Sequence, residues 1–134
     1  MWHSPTAINE LTIAAEIKAW VDKYRPQKVC YDRYSTATIA ERLQNAGVIV
    51  EDISGQAFYQ ACGDLLESIN NGRIAHSGQE DLRLQMANVA AKTNDAGWRI
   101  VRRQSAGDIS APIGLAMVVS KLMKPVSTPK ILSA

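Results

Sequence analysis

Cysteine is scarce in this chain, with only Cys30 and Cys62 among 134 residues. Both stand among apolar neighbours and they form no CxxC pair. That excludes a zinc ribbon or a thioredoxin-type redox motif, and the expected state is a buried, reduced pair. No apolar run approaches the ~20 residues that a helical membrane span requires, so no membrane partner is expected. Neither sign of charge dominates: the net charge of +2 is too small to mark a nucleic-acid protein by itself. There is no Walker-type phosphate loop, no nucleophile elbow and no zinc-ligand spacing, which excludes a P-loop ATPase site and an α/β-hydrolase triad. The opening stretch, MWHSPTAINE, has neither the basic nor the apolar region of a signal peptide, so a cytoplasmic protein is expected.

What remains is globular. Apolar residues make up 46% of the chain, which rejects disorder, and the length suits one domain with a moderate core. The domain is expected over residues 1–123, with 124–134 a loosely held tail interrupted by Pro125 and Pro129.

The pattern predicts an α/β order. Ser4-Pro5 has the form of a helix start, and Ile13, Ile17, Trp20, Val21 and Tyr24 then mark one face. Pro26 disfavours helical geometry in Arg25 and ends that helix. KVCY reads as a strand, and STATIAERLQNAG as a helix with Ile39, Leu43 and Ala46 inward and Gly47 at its C-terminus. VIVEDI is a second strand. Phe58, Ala61, Cys62, Leu65 and Ile69 keep helical spacing up to Asn71-Gly72. SGQE at 77–80 has the capping-box form, so a helix is expected to start near Gln79. The turn-rich TNDAG before WRIVRR predicts a β-hairpin across 88–103. DISAPIGLAMVVSKLM is a last helix, apolar nearly all round and therefore expected to be buried. Two parallel core strands alone make a poor sheet.

Two acids sit at the ends of buried elements. Asp32 follows the first strand and Asp108 precedes the last helix. Each has a plain use as a turn or helix cap. Brought together, two such carboxylates would repel unless a cation lay between them, and magnesium or manganese suits oxygen ligands. Glu51 and Asp52 end the second strand and are weaker candidates, with a solvated loop as the simpler use. On an extended hairpin Arg99 and Arg103 would share one face and Arg102 the other. Together with Lys92 they could follow a phosphate backbone, or form an ordinary solvated face. His76 is a lone histidine, better read as a surface residue than as a ligand.

Taken in order, the strand ending in Tyr31-Asp32, the helix ending near Gly47, Gln56, LLESINNGRIAHSG, MANVAAKTNDAGWRIVRR and GDISAPIGLAM form one series. The series resembles the C-terminal nuclease domain of tailed-phage terminase large subunits, over about residues 8–122. The resemblance implies an RNase H-like fold with a truncated core of few strands and helices on its faces. It also implies a two-ion site for magnesium or manganese that cleaves concatemeric DNA during packaging. Asp32 and Asp108 would be its catalytic and metal-binding residues. Arg99, Arg102, Arg103 and Lys92 would meet double-stranded DNA.

Further partners implied are a terminase small subunit, a portal or a missing N-terminal part, in the cytoplasm of a host bacterial cell. The family's first metal-binding aspartate lies on a strand upstream of anything in this sequence, as does its ATPase motor. One acid is therefore expected to be lacking, and the chain is expected to pair with itself or with a complementary chain. Two other readings stay open: a non-catalytic prophage remnant or DNA-binding assembly module, and a Holliday-junction resolvase-like enzyme.

Overall fold

A computed structural model describes residues 9–94 and 97–123 of the chain. Helix α1 (Glu10–Tyr24) starts directly after Asn9, whose backbone is extended. The Asn9 side-chain oxygen accepts the N–H groups of Leu11 at 3.0 Å and Thr12 at 3.3 Å, which takes up two of the donors that a helix start leaves without partners. The expected start at Ser4-Pro5 lies outside the described residues. At the other end Arg25 turns into the left-handed region, at φ 48°, directly before Pro26. Ile13, Ile17 and Val21 are half-buried as their spacing predicts. Trp20 and Tyr24 depart from it: they are 53% and 63% exposed and lean on each other, with ring centroids 5.8 Å apart.

Strand β1 (Val29–Tyr31) pairs in parallel with β2 (Val50–Asp52), placing Tyr31 opposite Asp52. Between them runs α2 (Arg33–Asn45), capped by Asp32 two residues earlier than the sequence pattern suggests. Its inward residues are Ala40 and Leu43; Ala46 is exposed, because the helix has already ended there. Gly47, at φ 86°, supplies the left-handed turn, and the Val48 N–H returns to the Leu43 carbonyl at 3.0 Å.

Helix α3 (Gln56–Asn70) and α5 (Ser110–Met123) form the main packing contact. Ala61, Cys62, Leu65 and Ser68 of α3 are buried, as are Ile113, Ala116, Met117, Val119 and Ser120 of α5. Small residues at Ala61 and Ala116, both fully buried, suit the close approach of two helices. Polar groups in this contact find partners: Ser120 donates to Asp64 at 2.6 Å and Ser68 to the Met123 sulfur at 2.8 Å. Helix α5 is less buried than its composition predicts, with Val118 49% and Leu122 79% exposed.

Helix α4 (Glu80–Asn88) packs on α5. Gln79 precedes it without a side-chain cap, so the capping box expected from Ser77 does not form. The hairpin is shorter than expected, because α4 runs on through Asn88. Its strands are β3 (Ala91–Asn94) and β4 (Gly97–Ile100), antiparallel, with Lys92 opposite Arg99. Arg102 and Arg103 lie beyond it in a short 3-10 turn, Arg102–Gln104. Strand β4 packs on α3 through Ile100, and the core unites Ile53, Leu65, Ile100, Ile109 and Ile113 with their neighbours. The result is α/β: two separate two-stranded sheets among the described residues, with helices against them. No helix there is long and apolar enough to cross a membrane.

Candidate functional site: a basic cleft beside Asp32

The carboxyl ends of β1 and β2 open on a cleft of about 450 Å³. Asp32 lines it from the start of α2, Ser54 and Gly55 from the start of α3, Tyr59 from the first turns of α3, and Arg99, Arg102 and Arg103 from β4 and the turn after it. The expected division of the three arginines between two faces is not what is found. Strand alternation ends at Val101, whose N–H bonds the Ala90 carbonyl, and the tighter 3-10 turn then swings Arg102 and Arg103 back beside Arg99. Lys92 is exposed on β3 and does not line the cleft.

Asp32 has a double role. Its Oδ1 accepts the Tyr34 N–H at 3.0 Å, the N-cap of α2. Its Oδ2 accepts the Ser35 hydroxyl at 3.1 Å and meets the Arg102 guanidinium at 3.2 Å. The side chain is 19% exposed, so the charge sits at the cleft wall rather than in open solvent. Asp52, at the end of β2, accepts the Ser54 hydroxyl at 2.7 Å and the Arg33 N–H at 3.3 Å. Two carboxylates at adjacent strand ends therefore brace the start of α2.

Asp108 stands elsewhere. Its Oδ1 accepts the Ser110 N–H at 3.0 Å at the start of α5, and its Oδ2 accepts from the Gln85 amide at 3.1 Å. It is not among the residues that line the cleft. Gln85 is only 5% exposed, and its carbonyl oxygen also takes the Ala111 N–H at 2.7 Å. It is thus a cap for α5 supplied by α4. Sequence reasoning missed it, since a glutamine in a short polar helix carries no signal until another helix docks on it.

Glu51 is structural. Lys28 reaches it at 2.7 Å and Lys121 of α5 pairs with its other oxygen. The Lys121 hydrogen bond, then that of Lys28, holds its carboxyl below the usual range. His76 accepts the Gly78 N–H at 3.0 Å, a local turn contact in keeping with a surface residue. Burial pushes the thiols of Cys30 and Cys62 up, which suits unreactive core cysteines. Among the described residues no three His, Cys, Asp or Glu side chains gather as a metal group.

No family model and no curated protein sequence matches the chain. A solved structure does: the large terminase of bacteriophage HK97, with a TM-score of 0.70 over 85% of this chain. The chain has the fold of part of a phage large terminase. Identity across the match is 16%, so the likeness is one of fold. The matched region is 25% of the HK97 large terminase, and the chain spans about that quarter of its length.

Proposed function

We propose that this chain is a segment of a phage or prophage terminase large subunit, from its RNase H-like nuclease domain, acting on double-stranded DNA during packaging. The observation that carries this reading is the shared fold over most of the chain at a TM-score of 0.70. The cleft supports it: a carboxylate at the end of a core strand faces three guanidinium groups, the type of wall that receives a phosphate backbone. Of the two candidate acids, Asp32 lines the cleft and would be an oxygen ligand for magnesium or manganese, the ion supplying an activated water and charge neutralisation when bound; Asp108 is a donor of the same kind that does not line the cleft. As donors both fit in kind. Arg102 has to release Asp32 Oδ2 before that oxygen can serve as a ligand. Arg99, Arg102 and Arg103 would hold the backbone, and Lys92 would extend the contact from the exposed side of the hairpin. A small subunit, a portal and a motor-bearing segment are the partners that such a role entails.

A non-catalytic DNA-binding or assembly module is the second reading. It is favoured by one observation: the Asp32 charge is already matched by Arg102, and Asp32 also caps α2. Supercoiled plasmid with manganese separates the two. Nicking by the wild type that is lost in Asp32→Ala supports the nuclease. DNA retardation in a gel without nicking supports the binding module. No retardation and no nicking would overturn both.

A further inference from the structure

We propose that the cleft beside Asp32 is a binding site for one unstacked nucleotide, its phosphate anchored by Arg99 and its base set against the aromatic wall. This goes beyond backbone tracking of a duplex and rests on the reading above only for the natural source of the nucleotide.

Charge is the first argument. Three guanidinium groups and one carboxylate line the cleft, and Arg102 matches Asp32. Arg99 and Arg103 make no ion pair among the described residues, which leaves an excess of positive charge in a partly enclosed space. Arg99 is the more constrained of the two. Its Nε is shielded from solvent and has no hydrogen-bond acceptor, although buried donors are ordinarily satisfied. Its guanidinium is held 5.0 Å from the Tyr59 ring centroid and its backbone is fixed in the β3–β4 ladder. An anion entering the cleft would meet a guanidinium whose position is already set, at its outer nitrogens rather than at the shielded Nε.

Shape is the second argument. The cavity, about 450 Å³, falls within the range of small-ligand pockets and exceeds the need of a phosphate alone. Tyr34, Phe58 and Tyr59 line it together with Ile100, Val101 and Met117; the Tyr59 ring already carries the Arg99 guanidinium, so a base would pack against the remaining aromatic and aliphatic surface. A base inside a duplex is stacked on its neighbours and cannot reach such a wall, so a free mononucleotide or a strand end is the fitting ligand. The start of α3 closes the cleft on this side with Ser54 and with Gly55, at φ 57°.

The test follows amide resonances of the full chain by NMR in metal-free buffer with a chelator. Thymidine 5′-monophosphate, inorganic phosphate, thymidine, a short single-stranded oligothymidylate and a blunt duplex are the probes. The monophosphate is expected to shift Gly55, Tyr59 and Arg99, which line the cleft, and to bind more tightly than phosphate or thymidine. Arg99→Gln, folded by far-UV circular dichroism, should weaken it about tenfold, the loss of one charge-assisted contact. Should that variant not fold, Arg103→Gln on the exposed side of the turn serves instead, with a loss of at least about threefold expected on the same ground. Asp32→Asn should tighten binding about two- to fivefold, because it removes the one carboxylate facing the arginines. Tighter binding of the oligothymidylate than of the monophosphate places the source in a strand; the reverse places it in a free nucleotide. No shift with any probe, equal binding of phosphate and monophosphate, preference for the duplex, or wild-type affinity in the arginine variant overturns the proposal. Nicking without nucleotide binding refutes this site alone, and nucleotide binding without nicking refutes the nuclease reading alone.

Discussion

Replacing Asp32 by asparagine and by alanine separates its helix cap from its ion pair with Arg102. Asparagine keeps an oxygen for the Tyr34 N–H, so the helix cap survives. What it loses is the charge that meets Arg102. That pair is 54% exposed on the arginine side and 19% on the aspartate side, so solvent screening limits it to about 0.2–1 kcal/mol. Alanine loses the cap as well, for about 0.5–2 kcal/mol more. The total for Asp32→Ala is about 1–3 kcal/mol, which in a domain of this size lowers the Tm by roughly 3–10 °C. Arg102→Gln should cost no more than the asparagine variant, and its combination with Asp32→Asn should add little, since both remove the same pair. Urea denaturation followed by circular dichroism reads all four. An Asp32→Ala midpoint within error of the wild type would refute the capping argument, and so would an asparagine variant as damaging as alanine.

Three other outcomes are expected. Leu65→Ala, at a core position 1% exposed, should cost about 2–5 kcal/mol by cavity formation, read as a fall in the urea midpoint at constant slope. Glu51 has its folded-state pKa lowered by Lys121 and Lys28, so its contribution is fully present above the ordinary value of 4.5 and is lost as the pH falls through the folded value; Glu51→Gln should flatten that acid limb, and an unchanged melting profile between pH 3 and 6 would count against the pairing. Cys62, fully buried with its thiol raised by desolvation and its sulfur 3.5 Å from the Ile100 N–H, should react with a thiol reagent only on unfolding, whereas Cys30 should react first; equal rates in the native state would show the α3–β4 packing to be wrong.

The sequence by itself determined the elements. Residues that act on their own backbone were legible: Pro26 stops α1, Gly47 ends α2, and the apolar spacing of Phe58 to Leu65 makes α3. The order helix, strand, helix, strand, helix, helix, hairpin, helix followed from them, and with it the resemblance whose fold the HK97 large terminase shares. The capping of α2 by Asp32 was legible too, as was the local bond of Asp108 to the Ser110 N–H, because such contacts reach only two or three residues along the chain. Tertiary structure decided the rest. Gln85 became a cap for α5 only when α4 docked beside it, across 26 residues of sequence. Arg102 met Asp32 across 70 residues, and no local pattern carries such a pairing. The three arginines converged on one cleft because the strand ended at Ile100 and the chain tightened into a turn, a change of backbone period that side-chain alternation alone does not foretell.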